Sequence, residues 1–543
     1  MNFTILAVTV IVILGICLRI LPYDSVQGLW NDEYVSWYIS QKPLLIPFVK
    51  GIFEQCHMPL YYLYLKLITY IFGSSDTVLR LSSFVIGALN ILVMYFVGNL
   101  KSSKHGIVCA LFSALSGILI YYSYEVRPYS LIFLFSSLIL LFSLKLIEKQ
   151  NKQNIIFYIL SVCGLLFTHT TGFIYAVCSL GFTGYCLRNK KPEYTKNILL
   201  SVGIFFLILT PLMINIFTVT SFSQWWSNFS ISKVFFMFTD MFSNYLINLV
   251  NAPQNFISAI TPKFFIFGII PAVIAVIGLL NVLFLKNLYL KLLSLTAIVP
   301  TIILLAVSFS GKIVFLTKYN FEIYPVLIYL FVLGLFELKN KKIRVVVFSI
   351  LFIINGLFIF TKDFKHYFYK SESNKLAAEL LLNANLNPDD IIIFTYYPRE
   401  RFAKYFDYSL YEVREIHKGN FFYYLTPDTT YNDAVVNAQN IYKKIYLSKN
   451  NTHLNNAIES EFYQNIREGK KIAILFLNSV SMLSDVQIFQ IANNEKYYKK
   501  TPQMYMIFSY VKNFLIKKMN TDLQLIKYEQ KGDWSIIIFE KTK

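Results

Sequence analysis

An apolar run, FTILAVTVIVILGICL (residues 3–18), is followed by LWNDEYVSWYIS (residues 29–40), where two acidic residues stand among aromatic ones. A helix of about twenty apolar residues crosses the roughly 30 Å hydrocarbon layer of a bilayer. Charged side chains inside that layer are costly, so the second stretch belongs at its surface. We therefore predict a retained membrane span over 3–21 and an acidic pair directly beside the bilayer.

The rest of the 543-residue chain is also apolar, since 56% of its residues are hydrophobic. Soluble domains have roughly half apolar residues, and apolar runs of spanning length recur here as far as residue 361. These features predict an α-helical polytopic membrane protein with about eleven transmembrane helices. The predicted spans are 3–21, 79–98, 106–123, 129–147, 154–167, 171–187, 197–219, 264–285, 292–309, 321–337 and 345–361. One long tilted helix over 154–187 is an alternative, because only THTTG (168–172) separates the two runs.

The net charge of +19 has a distribution typical of membrane topology rather than of nucleic-acid binding. Basic residues near the ends of spans stay on the cytoplasmic side. They are concentrated in five short links, which are KSSKH, KLIEKQNK, RNKKPEYTK, KNLYLK and KNKKIR. We therefore predict a multi-pass protein of the plasma membrane with its C-terminal region on the extracytoplasmic side and no nucleic-acid partner.

Three regions lie outside the predicted spans. Residues 22–78 are amphipathic and predict short interfacial helices, and residues 220–263 predict an aromatic-rich outer loop. Residues 362–543 alternate helix-like and strand-like runs, among them DDIIIFTYYP, KIAILFL and WSIIIFEK, which predict an extracytoplasmic α/β domain. This domain contains no cysteine, which excludes a disulfide framework there.

Ionisable residues at the outer ends of the spans are the candidates for chemistry, because such residues near a bilayer are often functional. They are Asp32, Glu33, His57, Glu125, Arg127, His169, Lys318 and Glu322. Arginine and lysine suit a phosphate, and a carboxylate suits a general base. Together they predict a site for a lipid-linked phosphosugar.

Five stretches of the chain resemble blocks of the GT-C-type glycosyltransferases. They are WNDEYVSWYIS, HMPLYYLYLKLITYIFG, VLRLSSFVIGALNILVMYFVGNL, YSYEVRPYSLIFLFS and KYNFEIYPVL. The similarity is to the bacterial branch related to dolichyl-phosphate-mannose protein mannosyltransferases and lipid A aminoarabinose transferases. It covers residues 1–361, which would be the catalytic domain.

The resemblance implies an inverting hexosyl- or pentosyltransferase that moves a sugar from a polyprenyl phosphate to an acceptor on the extracytoplasmic side. Asp32 matches the expected general base, with Glu33 as its neighbour. The donor phosphate would be bound by Arg127 and Tyr129, and by Lys318 and Tyr319. His57 and Glu125 would contact substrate, although Met58 replaces the first proline of the usual His-Pro-Pro-Leu-Tyr block.

Each assignment has a structural alternative. Asp32 could cap the helix that it opens. Glu125 and Arg127 could form an interfacial salt bridge, and His57 and His169 could be ordinary hydrogen-bonding residues.

Some members of the superfamily use a divalent metal, for which Asp32, Glu33 and Glu125 are candidate ligands. Because two cations are already available for the phosphate, we predict no essential metal and no other cofactor.

The acceptor could be a protein, a lipid glycan or a cell-wall polymer, and membrane lipid is a further partner. A polysaccharide ligase or polymerase would use a similar donor. A secondary transporter or a surface scaffold would also be polytopic, but inverted repeats typical of transporters are not evident.

Overall fold

The computed structural model describes most of the N-terminal two thirds of the chain and parts of the remainder. The described residues are 3–22, 28–55, 57–188, 192–218, 232–246, 261–309, 315–369, 373–388, 390–394, 404–407, 409, 411–415, 459, 466, 469–477, 515–517, 519, 521 and 523–541. They belong to two compact units. The first comprises Met1–Val26 and Val35–Tyr369, and the second comprises Gln27–Tyr34 and Lys370–Lys543.

The first unit is helical, and eight helices in the described part are long and apolar enough to cross a membrane. These helices are α1 (Phe3–Ile20), α5 (Asp76–Asn99), α8 (Tyr129–Glu148), α11 (Pro192–Thr218), α13 (Pro262–Phe284), α14 (Leu288–Phe309), a 3-10 turn (Thr317–Ile323) continued by α15 (Tyr324–Phe336), and α16 (Lys341–Ile359). The predicted polytopic helical fold is confirmed.

The three remaining predicted spans form shorter helices. Residues 106–123 correspond to α6 (Ser103–Leu115) and α7 (Gly117–Tyr122), which are separated at Ser116. Residues 154–187 form α9 (Lys152–Thr168) and α10 (Gly172–Leu187), with an extended His169 between them. The alternative of one long helix is therefore wrong.

Asn244 supplies the hydrogen bonds that the break between α6 and α7 leaves open. Its Oδ1 accepts from the Gly117 amide at 2.5 Å, and its Nδ2 donates to the carbonyl oxygens of Leu115 at 2.9 Å and of Asn355 at 2.8 Å. A buried backbone group without a partner is costly, so Asn244 stabilises a break that the apolar core would otherwise disfavour.

Helices α13 and α15 pack with their backbones in direct proximity at Gly278 and Gly334. A Cβ atom added to Gly334 would lie 1.8 Å from the Gly278 carbonyl oxygen. Small residues at helix interfaces permit this close approach in membranes. Helix α15, which continues the 3-10 turn, is thus packed against α13 as tightly as the two backbones allow.

Short helices fill the regions predicted to be interfacial. Residues 22–78 contain α2 (Asn31–Gln41), α3 (Ile46–Gln55) and α4 (Leu60–Phe72). The predicted outer loop 220–263 lies mainly outside the described residues, apart from 232–246, which contains α12 (Ser232–Phe242), and 261–263. A further short helix, α17 (Lys362–His366), ends the first unit.

The second unit contains the predicted mixture of helix and strands. Helix α18 (Asn374–Leu382) packs on a five-stranded sheet. The strands are β1 (Ile391–Phe394), β2 (Glu412–Glu415), β3 (Lys471–Leu477), β4 (Gln524–Lys531) and β5 (Trp534–Glu540).

The sheet is mixed and has the order β2-β1-β3-β5-β4. Strand β1 pairs in parallel with β2 and β3, whereas β5 is antiparallel to β3 and β4. Residues 534–539 of β5 are buried, as expected for a strand covered on both faces. Among the described strands, β4 lies at an edge, and its pairing with β5 is irregular between Leu525 and Lys527.

Candidate functional site

A buried loop between α7 and α8 carries two of the predicted site residues. In this loop, residues 123–128, Glu125 is 5% exposed and Arg127 is 7% exposed. The loop ends at Pro128, immediately before α8, where the ring fixes the backbone in a conformation that suits a helix start. Burial of a polar loop requires partners for its backbone.

Backbone partners come from α5, and α1 adds a contact to a side chain of the loop. Nη1 of Arg80 donates to the carbonyl oxygen of Tyr124 at 2.7 Å, and Oγ of Ser83 donates to that of Glu125 at 2.7 Å. Nε of the fully buried Arg19 donates to Oγ of Ser123 at 3.0 Å. These contacts hold the loop against two membrane helices.

The two charged side chains of the loop have different neighbours. Oε1 of Glu125 accepts from the Tyr121 hydroxyl at 2.8 Å. Nη1 of Arg127 donates to Oγ of Ser36 in α2 at 3.2 Å. This bond orients the Arg127 guanidinium toward the part of α2 from Val35 onward, which belongs to the first unit.

The 3-10 turn carries the second predicted phosphate-binding pair. Oγ1 of Thr317 donates to Oδ2 of the buried Asp240 in α12 at 2.8 Å, which fastens the start of the turn. Nζ of Lys318 lies 5.3 Å from the centre of the Tyr319 ring, within the range of a cation–π contact. Glu322 near the end of the turn is fully buried.

His169 lies in the break between α9 and α10 and is close to residues of the 3-10 turn. Its ring centre lies 6.4 Å from that of Tyr129 and 5.8 Å from that of Tyr319. Its Nδ1 lies 2.8 Å from Oγ1 of Thr171, and this hydroxyl is 3.3 Å from Oε2 of Glu322. Both predicted phosphate-binding tyrosines therefore flank one histidine.

His57 belongs to the same electrostatic environment. Its ring stacks on that of Tyr62, with centres 5.7 Å apart and 21° between the planes. Burial, followed by the charges of Arg127, His169 and Lys318, lowers the pKa of His57 well below its ordinary value.

Burial, Arg127 and Lys318 also lower the pKa of His169, to about 3. Both imidazoles are therefore neutral near pH 7, so Arg127 and Lys318 give the region its positive charge. A region with this charge is suited to an anion.

The acidic pair begins α2 and belongs to the second unit. Glu33 is fully buried, and its Oε2 accepts from the Trp30 amide at 3.2 Å. A glutamate at the third helical position that binds back to the preceding amide is one half of a capping box. Asp32 is half-buried and lies in the same first turn.

The predictions from sequence missed several positioning residues. Arg19 and Arg80 lie inside or at the end of apolar spans, and a charged residue in such a place is a usable signal. Thr171, Asp240 and Thr317 give no comparable signal, because hydroxyl contacts depend on tertiary structure. Within the described ranges, no group of three or more His, Cys, Asp or Glu residues could hold a metal ion.

Comparisons with known proteins identify the fold. A sequence model described as dolichyl-phosphate-mannose-protein mannosyltransferase matches residues 56–215, which is less than half of the chain. The crystal structure of ArnT from Cupriavidus metallidurans in the apo state is similar, with a TM-score of 0.55 and 10% identity over 98% of this chain and 97% of that one. The chain has a GT-C-type glycosyltransferase fold.

A second ArnT structure from the same organism, bound to undecaprenyl phosphate, gives the same result. Its TM-score is 0.52 with 12% identity, and it covers 98% of this chain and 97% of that one. No curated protein sequence matches the chain. The GT-C-type fold and its many apolar helices identify a multi-pass membrane protein.

Proposed function

We propose that this GT-C-type protein transfers a sugar from a polyprenyl-phosphate donor to an acceptor on the extracytoplasmic side of the plasma membrane. The observation that carries the proposal is that Tyr129 and Tyr319, which closely follow Arg127 and Lys318 in the sequence, both flank His169. The fold is similar to that of a protein crystallised with undecaprenyl phosphate. The mannosyltransferase family match over residues 56–215 supports the same donor class.

The donor phosphate is assigned to Arg127 and Lys318, with Tyr129 and Tyr319 beside them. Arginine binds phosphate oxygens through two parallel N–H groups, and lysine binds them as a point charge. Because the phosphate becomes the leaving group, the same cations stabilise the charge that develops as its bond to the sugar breaks. His57 and Glu125 are assigned to the sugar.

Asp32 is the proposed general base. Glu33 accepts a hydrogen bond at the start of α2, which supports a capping role for it. Asp32 is assigned to proton transfer because it matches the base that the GT-C resemblance implies. Asp32 would take the proton of the acceptor hydroxyl or amine as that group attacks the anomeric carbon. The bond to the phosphate oxygen breaks on the opposite face, so the sugar inverts.

The acceptor is a surface protein, a lipid glycan or a cell-wall polymer, and the transferred sugar is a hexose or a pentose. The donor is itself a lipid of the bilayer, and membrane lipid is a further partner of the protein. Transfer is expected to require no divalent metal, because Arg127 and Lys318 neutralise the phosphate.

The test compares wild type with Arg127→Gln for transfer from radiolabelled polyprenyl-phosphate sugars, with native membranes as the source of acceptor. Arg188→Gln is the matched control, since Arg188 is exposed at the end of α10 and its guanidinium stacks on Tyr185. Arg127→Gln should reduce transfer at least about tenfold, because a hydrogen bond to a charged group contributes roughly 1.5–3 kcal/mol. Absence of transfer by wild type with every donor would overturn the proposal and favour a transporter.

A further inference from the structure

The segment that leads into α2 is held by C-terminal residues of the second unit. The Leu29 amide donates to the Tyr405 hydroxyl at 2.8 Å, and the Leu29 carbonyl oxygen accepts from the Asn374 amide at 3.1 Å. Leu29 itself is fully buried. Both backbone groups of this one residue are therefore bound by partners that lie far away in the sequence.

Gly28 packs closely against the same part of the second unit. A Cβ atom added to Gly28 would lie 2.4 Å from Cβ of Lys375 and 3.1 Å from Oγ of Ser373. Carbon atoms of real side chains do not approach so closely, so glycine allows the backbone to lie this near to the start of α18. Packing and hydrogen bonds thus fix Gly28 and Leu29 at one place.

This anchoring determines where the first turn of α2 begins. The carbonyl oxygen of Trp30, the residue directly after Leu29, accepts from the Tyr34 amide at 2.9 Å, and so makes the first hydrogen bond of the helix. The Trp30 amide donates to Oε2 of Glu33 at 3.2 Å. Asp32 lies between these residues in the same turn, so its position follows from the contacts of Leu29 and Trp30.

We propose that Tyr405 and the backbone of Asn374 are positioning residues for Asp32, on which they act through Leu29. This inference rests on the proposed function, in which Asp32 is the general base. A general base must lie within hydrogen-bond reach of the proton that it takes, so a small displacement of Asp32 lowers the rate. The second unit is then part of the transfer machinery and not a separate packing module.

A displaced base has a kinetic signature of its own. The donor phosphate is assigned to Arg127 and Lys318 of the first unit, so loss of the anchoring should lower kcat without changing KM for the donor or the affinity for undecaprenyl phosphate. A partly unfolded sample would instead lose binding sites and activity in equal proportion. The rate is therefore expressed per site that binds undecaprenyl phosphate.

The first test compares wild type with Tyr405→Phe, using the full chain purified in detergent and acceptor from membranes that lack the protein. The substitution removes only the hydroxyl that binds Leu29. It should lower kcat per site about fivefold, the effect of one neutral hydrogen bond. Tyr411→Phe is the matched control and should keep the wild-type rate, since Tyr411 lies in the same unit and stacks on Phe406 through its ring.

The second test removes the other bond to Leu29 and remains informative if Tyr405→Phe does not fold. Asn374 is the first residue of α18, a position that suits proline, and the preceding Ser373 has the extended backbone that proline favours in its neighbour. Asn374→Pro removes the amide proton, whereas the matched Asn374→Ala keeps it. Asn374→Pro should lower kcat per site about tenfold relative to Asn374→Ala, because the buried Leu29 carbonyl oxygen loses its donor.

Failure of the inference and failure of the function give different results. Wild-type transfer, with undiminished kcat per site in Tyr405→Phe and Asn374→Pro, would overturn the positioning role and leave the proposed function intact. Weaker binding of undecaprenyl phosphate at an unchanged kcat would also overturn it, since the anchoring would then serve the donor. A wild type that neither binds undecaprenyl phosphate nor transfers any sugar would overturn both.

Discussion

Nη1 of Arg80, in helix α5, donates at 2.7 Å to the carbonyl oxygen of Tyr124, which lies three residues before Arg127 in the same buried loop. The arginine is 5% exposed, so this bond is formed away from water. A charged side chain in a membrane helix thus holds the backbone that presents Arg127.

Arg80→Leu should impair both stability and transfer. The substitution leaves the Tyr124 carbonyl oxygen without this donor, which costs roughly 1–3 kcal/mol for a buried group. Displacement of the loop should also move Arg127 away from the donor phosphate. Transfer should then fall about tenfold, which corresponds to a loss of about 1.4 kcal/mol. Thermal unfolding in detergent and the transfer assay measure the two effects. Unchanged values in both would contradict a positioning role, and Arg80→Lys should give an intermediate result.

Asp32 and Glu33 should behave differently although they are adjacent. Asp32→Asn should abolish transfer without affecting unfolding, because a neutral amide cannot take the acceptor proton. Glu33→Ala should lower stability by about 1 kcal/mol, the usual contribution of a helix cap. Measuring unfolding and transfer for both variants tests the division of roles. Full transfer by Asp32→Asn would move the base elsewhere.

Acidification should destabilise the folded chain through His57 and His169. The pKa of His169 falls from 6.5 to about 3 on folding, and that of His57 is also lowered. Below about pH 6.5 the unfolded chain binds protons on these groups that the folded chain does not bind. Their contribution is therefore fully present above that pH and is lost as the pH falls toward about 3.

The measurement is the unfolding temperature in detergent at about pH 7.5 and about pH 5, with His169→Gln for comparison. The variant should show a smaller decrease than wild type. An equal decrease would place the pH dependence in other groups.

Removal of divalent metal should leave transfer unchanged. Two cationic side chains, Arg127 and Lys318, are assigned to the phosphate, so a chelator such as EDTA should have little effect on the initial rate. Assays with and without chelator, followed by addition of magnesium or manganese, measure this. A chelated enzyme that regains activity only with metal would contradict the prediction.

The extracytoplasmic location of the second unit can be tested with cysteine labelling. Ile526→Cys places a thiol on the exposed face of β4, and in a background without other cysteines it should react with an impermeant reagent in intact cells. Lys339→Cys, in a predicted cytoplasmic link, is the matched control and should react only after lysis. The reverse pattern would invert the topology.

The helical part of the fold could be predicted because a membrane span needs a continuous apolar run. The break at Ser116 could not, since the groups that satisfy it belong to Asn244, which is far away in the sequence and is itself bound to Asn355. The apolar run over 106–123 continues through the break without a change in composition. The local apolar pattern therefore identified the segment 106–123 but not its division into α6 and α7.

The candidate site was likewise predictable where the signal is local in the sequence and not where it depends on distant contacts. Arg127 and Lys318 stood out because charges at the ends of apolar spans are costly. Thr171 did not, because its contacts with His169 and Glu322 exist only when three distant segments meet. The cap made by Glu33 is local in sequence, and its position three residues after Trp30 could have suggested it.

The edge position of β4 has a consequence for neighbouring molecules. Lys527 and Glu529 form an ion pair of 2.6 Å along this strand, and Lys531 pairs with Glu379 of α18. Charged side chains and an irregular backbone on an edge strand hinder its pairing with a strand of another chain. Among the described strands, the outermost one is therefore protected against unwanted association with a second copy of the protein.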